Sequence, residues 1–325
     1  MTGRFRPALF LAMLVLPAAF VPQIAAAGAH PTARISGRST DPLIAAAGDI
    51  ACDPTNRYFN SGQGTNGWCR ASKTAAVIAK IAPDALLPLG DAQYDTGELG
   101  QYDASYALSW GSYLPSTYPA PGNHDYMSSM TARGYFAYFG AHAVPSGASK
   151  AGYYSYDLGA WHMISLNSNC TYVHCAQGSP QYQWLKNDLT TNTSACTLAY
   201  WHQPRYSSGP HGNDTEVQPF WNLLYQHGAD VVLNGHDHIY ERFSPQNAAG
   251  AKDATFGLRE FVVGTGGAEH YWIDQVKAHS VIRNANTFGV LKMALHADGY
   301  GWSFMPVVGG TFTDAGTGVC HGPPV

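Results

Sequence analysis

Five short apolar runs, each ending abruptly on a polar residue, constrain this chain more than any other feature. LIAAAGD (43–49) and DALLPLGD (84–91) both stop at Gly-Asp; TYPAPGNHD (117–125) stops at Asn123, TLAYWHQP (197–204) at His202, and DVVLNGHDH (230–238) at His236 and His238. Short apolar runs bounded by turn residues read as buried strands. Between them lie segments of helical period: SKTAAVIAKIAP, capped by Ser72 and stopped by Pro83, a Tyr-rich helix around Tyr102 to Trp110, SPQYQWLKNDL, and EVQPFWNLLYQHG. AWHMISLNS (160–168) is a further strand. Past His238, REFVVGTGG, FGVLKMALHADG and YGWSFMPV follow one another without helices and read as antiparallel strands. In a mixed sheet fed by helices, functional groups gather beyond the carboxyl ends of the strands. The pattern therefore predicts an α/β fold with Asp49, Asp91, Asn123, His202, His236 and His238 on one edge. Without a low-complexity linker or an internal repeat, one domain is expected.

The first stretch stands apart. Residues 1–27 carry Arg4 and Arg6, then an apolar run from Ala8 to about Val21 interrupted by Pro17, then small residues. That is the layout of a secretory signal peptide, cleaved after Ala27 or Ala29, with an uncleaved anchor as the competing reading. Loss of Arg4 and Arg6, with no acidic residue in 1–27, takes the net charge from −4 to −6. A mildly acidic chain argues against nucleic acid as a stable partner, and cleavage would leave no membrane segment. The oligomeric state is not legible. Six cysteines in an exported chain are most simply three disulfides. Spacing suggests Cys52 with Cys69 and Cys170 with Cys175, leaving Cys196 for Cys320, although 15 pairings are formally open. A zinc site from Cys170, His174 and Cys175 competes for CTYVHC.

Taken singly, most of these polar residues have bland explanations. Gly-Asp after a strand is usually a turn, GNHD reads equally as an Asn-led turn, and His202 alone could be a hydrogen-bonded core histidine. His236, Asp237 and His238 are harder to dismiss, because three adjacent ionisable groups after a buried strand are costly unless something binds them. Together, two carboxylates, a carboxamide, three imidazoles and the phenol of Tyr94 supply donors for two metal ions, a pairing suited to attack at phosphorus. Other signals are weaker. GTGG (264–267) reads as a turn, His270 just after it as a residue lining the cleft, and His162 and His296 as core or surface residues; NCT, NTS and NDT match the glycosylation pattern.

The ordered set GDIA (48–51), GDAQY (90–94), GNHD (122–125), YWHQ (200–203) and GHDH (235–238) resembles the calcineurin-like metallophosphoesterases, and more narrowly the purple acid phosphatases, as does the longer phrase GHDHIYER. The resemblance implies a four-layer αββα sandwich of mixed sheets over residues 28–325. It implies that Asp49, Asp91, Tyr94 and His238 hold the first metal, that Asp91 bridges, and that Asn123, His202 and His236 hold the second. Fe(III) is implied at the first site and Fe(II), Zn or Mn at the second. Ala51, where relatives outside the purple branch carry a ligand His, together with Tyr94, points to the purple branch. With about twenty residues between the expected cleavage point and Asp49, the single-domain form is implied, without the N-terminal sandwich domain of the larger plant enzymes.

That family's activity would be secreted hydrolysis of small phosphate monoesters by a metal-bound hydroxide. His124 and His211 match positions that resemble the family's outer histidines, suited to bind the phosphoryl group or protonate the leaving alkoxide. Asp125 either orients His124 or is a turn residue. The competing functions are a phosphodiesterase acting on nucleotides or phospholipid head groups, and a secreted metal- or phosphate-binding protein without turnover.

Overall fold

The first apolar run becomes strand β1 (Leu43–Ala47), whose small side chains let helix α1 (Ala71–Ile81) pack close before the chain returns as β2 (Ala85–Pro88), parallel to β1. The structure is a computed structural model that describes residues 41–65, 67–145 and 150–324, all within the unit 39–325; the expected signal peptide lies outside the described residues. Two short helices follow, α2 (Leu99–Ala104) and α3 (Arg133–Phe139), then the hairpin β3 (Tyr154–Leu158) and β4 (Trp161–Ser165), the single turn α4 (Cys170–Val173) and the helix α5 (Pro180–Thr191). Next come β5 (Cys196–Tyr200), α6 (Gln218–Gln226), β6 (Val231–Asn234), β7 (Tyr240–Phe243) and β8 (Arg259–Val263). The last elements are β9 (Ser280–Asn284), β10 (Gly289–Leu295), β11 (Gly299–Pro306) and β12 (Ala315–Val319).

The strands form two mixed sheets, ordered β12-β11-β10-β1-β2 and β3-β4-β5-β6-β8-β7-β9. In the second sheet β4, β5, β6 and β8 run parallel, with antiparallel strands at its edges. Alternate side chains meet across the middle, with ring pairs Trp161–Tyr300, Phe261–Trp302 and Tyr240–Phe304 joining the sheets. Outside, α1 packs on β1, β10 and β11, while Leu185 and Leu189 of α5 and Phe220, Trp221 and Leu224 of α6 cover Ile164, Ala199, Val232 and Val262 of the second sheet. Each large apolar side chain so buried contributes about 1.5–3 kcal/mol. These are the four expected layers, α/β/β/α.

Local expectations fail where long-range contacts intervene. Helix α1 begins at Ala71 with Arg70 at its cap position, and Ser72 lies inside the first turn with its buried hydroxyl unpartnered. The start is set from outside: the amides of Cys69 and Arg70 donate to the carbonyls of Ala268 and Gly267. The Tyr-rich helix ends at Ala104 and continues only as 3-10 turns, because the Tyr106 amide donates to Gln93 Oε1 and the Ser105 hydroxyl to the Cys52 carbonyl. TYPAP makes isolated bridges, Leu86 to Thr117 and Leu89 to Ala120, since Pro119 and Pro121 lack amide donors. All three expected disulfides are present, Cys52–Cys69, Cys170–Cys175 and Cys196–Cys320, so the zinc reading of CTYVHC falls. Of the glycosylation motifs, Asn169 is buried and hydrogen-bonded.

Candidate metal centre

Because β1 and β2 are parallel in one sheet and β5 and β6 in the other, their carboxyl ends open on the same edge. Asp49 and Asp91 follow β1 and β2 by one tight turn each; His202 and His236 follow β5 and β6. The turns are sharp enough that Asp49, Asp91 and His236 adopt left-handed backbone, with φ of 61°, 46° and 72°. Such conformations are uncommon for residues other than glycine and cluster at functional sites. Gly90 is needed for another reason: a Cβ there would lie 2.4 Å from Nδ1 of His202.

The seven residues expected to ligate converge. Tyr94 Oη lies 2.8 Å from Asp49 Oδ1, 2.9 Å from His238 Nε2 and 3.2 Å from Asp91 Oδ2. On the other side, His202 Nε2 lies 3.1 Å from Asp91 Oδ2, 3.1 Å from Asn123 Oδ1 and 3.3 Å from His236 Nδ1. Asp91 Oδ2 is thus common to both clusters. Its other oxygen accepts from the His124 amide at 2.8 Å, and Asp49 Oδ2 accepts from the His236 amide at 2.9 Å, which orients both carboxylates. Asp49, Asp91 and His202 each offer a donor atom, and these all lie within 4.8 Å of one another.

The imidazoles are set for cations. Nδ1 of His202 is 2.8 Å from the Leu89 carbonyl and Nδ1 of His238 is 3.0 Å from the Glu269 carbonyl. A carbonyl only accepts, so each Nδ1 carries hydrogen and each Nε2 turns inward, that of His202 onto the acceptor oxygens of Asp91 and Asn123 and that of His238 towards the Tyr94 hydroxyl and Asp49. Between His202 Nε2 and the Asp91 carboxylate a cation or a proton is called for. In the bare chain a proton serves: burial pulls the His202 pKa down, but Asp91 lifts it to about 9. Burial likewise works to raise the Asp91 pKa, yet His202 and His124 hold it well below the usual carboxylate range. Burial, then Asp49 and Asp91, push the Tyr94 phenol well up, so a phenolate here would need a cation beside it. The donor set fits two metal ions.

Around this centre His124 directs Nδ1 to the Asp95 carbonyl at 2.5 Å, leaving Nε2 3.9 Å from Asp91 Oδ2. Asp125 does not orient it. Asp125 is fully buried, accepts from the Gly122 amide at 2.8 Å and the Tyr102 hydroxyl at 2.5 Å, and closes the turn that carries Asn123; burial and then Asp91 raise its pKa to about 7. His211 is exposed and stacks on His236 with ring centroids 4.2 Å apart. His270 backs the centre, its Nδ1 3.3 Å from the His238 carbonyl and its ring against Phe288, and it lines a neighbouring cleft with Arg70 and Lys73. Tyr271 went unnoticed in the sequence. Its ring lies flat on His238 at 3.9 Å and edge-on to His211 at 5.5 Å. It sits in a loop with no periodic pattern, and only its nearness to GTGG hinted at it.

Fold and donor set together define a class. Residues 42–240 match the calcineurin-like phosphoesterase family, and the chain belongs to it. Within that class the similarity runs to purple acid phosphatases. The chain is 32% identical to Purple acid phosphatase 15 of Arabidopsis thaliana over 202 residues, covering 52% of this chain and 37% of that protein. To Purple acid phosphatase 23 of the same plant it is 35% identical over 151 residues, covering 42% and 32%. It therefore spans about a third of the length of these curated relatives. The purple acid phosphatase PPD1 from yellow lupin (Lupinus luteus) seeds shares the fold, with a TM-score of 0.69 at 20% identity over 86% of this chain and 54% of that one. Among the described residues no helix is long and apolar enough to cross a membrane.

Proposed function

We propose that this chain is a secreted phosphatase that hydrolyses small phosphate monoesters at a dinuclear metal centre. The observation that carries the proposal is the shared oxygen: Asp91 Oδ2 stands 3.2 Å from Tyr94 Oη in one donor cluster and 3.1 Å from His202 Nε2 in the other. A carboxylate between two clusters is what two adjacent cations require. In this reading Asp49, Tyr94 and His238 complete one site, and Asn123, His202 and His236 the other. The phenol of Tyr94, a hard oxygen donor, favours Fe(III) in its site, with Fe(II), Zn or Mn in the second. Three disulfides support an oxidising, extracytoplasmic setting.

Bound there, the two cations would supply Lewis-acid polarisation of the ester and a water acidic enough to attack near neutral pH. The protein's own part is orientation and proton transfer. Asn123 and the carboxylates fix the donor positions; Asp49, Asp91, His202 and His238 are buried, while Asn123 and His236 are partly exposed on the open side. The Asp95 carbonyl holds hydrogen on Nδ1 of His124, so any proton this residue gives or takes passes through Nε2, the atom facing Asp91. His211, exposed and stacked on His236, would serve the leaving oxygen in this reading. Metal analysis with an aryl phosphate assay tests the reading. Two metal ions per chain with turnover are expected; a metal-loaded protein inert towards aryl phosphates would overturn it.

A further inference from the structure

Three carboxylates with no solvent exposure, Asp237, Glu241 and Glu260, lie behind the centre, and none of them faces it. Glu241 of β7 and Glu260 of β8 point to the same outer side of the second sheet as Val262, among apolar neighbours. Buried carboxylates are costly unless donors meet them. One segment, residues 205–211, donates to all three, although Glu241 also accepts from the Ser280 hydroxyl and Glu260 Oε2 has no hydrogen-bond partner. Glu260 Oε1 accepts from the amides of Arg205 at 2.8 Å and Tyr206 at 3.2 Å. Glu241 accepts from the Ser208 amide at 2.8 Å and the Ser208 hydroxyl at 2.6 Å. Asp237 accepts from the Ser207 hydroxyl and, at 3.0 Å, from the His211 amide. The approach is close enough that a Cβ on Gly209 would fall 2.4 Å from Asp237 Cγ.

This segment belongs to no helix or strand, yet it ends in His211. Asp237 sits between His236 and His238, so the turn that presents two imidazoles to the centre also dictates where a third one stands. We propose that Asp237 is a positioning residue that sets His211 over the centre, with Glu241 and Glu260 anchoring the segment behind it. The role in catalysis rests on the phosphatase reading above; the clamp itself does not.

Rates on an alkyl and an aryl phosphate, with metal content, would be measured for Asp237→Ala, Asp237→Asn, Ser207→Ala and His211→Ala. Aryl anions leave unaided, so a displaced His211 shows mainly on the alkyl ester. Asp237→Ala should lower kcat/KM about tenfold or more on the alkyl ester and less than about threefold on the aryl one. Asp237→Asn should recover most of the alkyl rate, because its amide oxygen still accepts from His211 N–H. In the His211→Ala background, Asp237→Ala should change the alkyl-to-aryl ratio no further, the mark of one shared path. Equal losses on both esters, or a further loss in that background, would overturn the proposal. Should Asp237→Ala lose metal, Ser207→Ala decides: it removes a contact of the clamp while leaving residues 236–238 unaltered and should shift the ratio in the same direction, and an unchanged ratio sinks the idea. Hydrogen exchange gives an activity-free arm. The amides of Ser207, Ser208, Gly209 and His211 should exchange faster in Asp237→Ala, and unchanged protection would dismiss the clamp. A metal-loaded wild type without turnover on either ester would instead remove the phosphatase reading, with exchange still reporting on the clamp.

Discussion

The two halves of the centre use carboxylates in opposite ways. On the first sheet, Asp49 and Asp91 turn inward, and oxygen donors dominate: two carboxylates that each bring an oxygen within 3.2 Å of the Tyr94 phenol oxygen. On the second sheet only imidazoles face inward, while Asp237, Glu241 and Glu260 turn away to hold backbone. Acidic residues near such an edge are therefore not interchangeable. In the oxygen half a carboxylate would bind what the site binds; in the nitrogen half it fixes the segments that carry the histidines. Their backbone partners show the same division, since His202 and His238 are set by carbonyls and Asp49 and Asp91 by amides.

The severest break in this division is expected from Asp91→Asn, which removes the charge common to both clusters. Metal content should fall in both halves and kcat/KM by about three orders of magnitude or more. His236→Ala should empty only the site it would share with Asn123 and His202. Two retained metals with normal turnover in Asp91→Asn would erase the distinction. Tyr94→Phe sharpens it from the oxygen side. Under the proposed Fe(III) assignment, protein purified with its own metals should absorb in the visible through its phenolate, and the Phe variant should lose that band while the His202–His236 site stays loaded. A coloured Phe variant would take Tyr94 out of the donor set.

Smaller effects separate scaffold from centre. The Cys52–Cys69 bridge ties the loop that starts three residues after Asp49, across a separation of 17 residues. Replacing both cysteines by Ser should cost about 3 kcal/mol of stability in denaturant unfolding, with the oxygen half losing metal affinity first. An unchanged midpoint would show that the loop is held without it. The smallest effect lies in the second sheet, away from the centre, where His162 sits between Asp157 at 2.9 Å and Asp188 at 2.8 Å. Burial acts to lower its pKa, but the bonds to Asp188 and Asp157 raise it above the ordinary value. A raised folded pKa makes the protonated ring stabilising, fully so below its unfolded value of about 6.5, and the benefit fades as pH rises through the folded value. His162→Gln should thus lower Tm near about pH 5 and hardly at all near about pH 9, by an amount equivalent to about 1 kcal/mol or less. Equal shifts at both pH values would point to packing instead.

Much of the centre was legible because its donors obey local rules. A buried apolar strand that ends on Gly-Asp or Gly-His, or runs straight into a histidine as at Trp201-His202, places the polar residue just past the sheet, so Asp49, Asp91, His202 and His236 could be set on one edge from the sequence. What stayed hidden depends on contacts distant in sequence. The start of α1 answers to Gly267 and Ala268, the break after Ala104 to Gln93 and Cys52, and the path of 205–211 to acceptors 26 to 55 residues away. Strand β3, with polar residues on an edge, lacked an apolar run to betray it. Asp237 was the deceptive case. Its place between two histidines suggested a share in their chemistry, yet its side chain faces the other way.

The position of the centre on the seam between the sheets has a mechanical side. Each donor cluster draws from both: Asp49 and Tyr94 meet His238 across the seam in one, Asp91 meets His202 in the other. Ions held there would act as clasps, adding their binding free energy to the hydrogen bonds that already join the two layers at this edge, such as the Gly48 amide to the Val263 carbonyl and the Gly266 amide to the Gly48 carbonyl. Chelation should then loosen the edge before it melts either sheet, leaving two intact layers that part at one margin, like a book with its clasp undone.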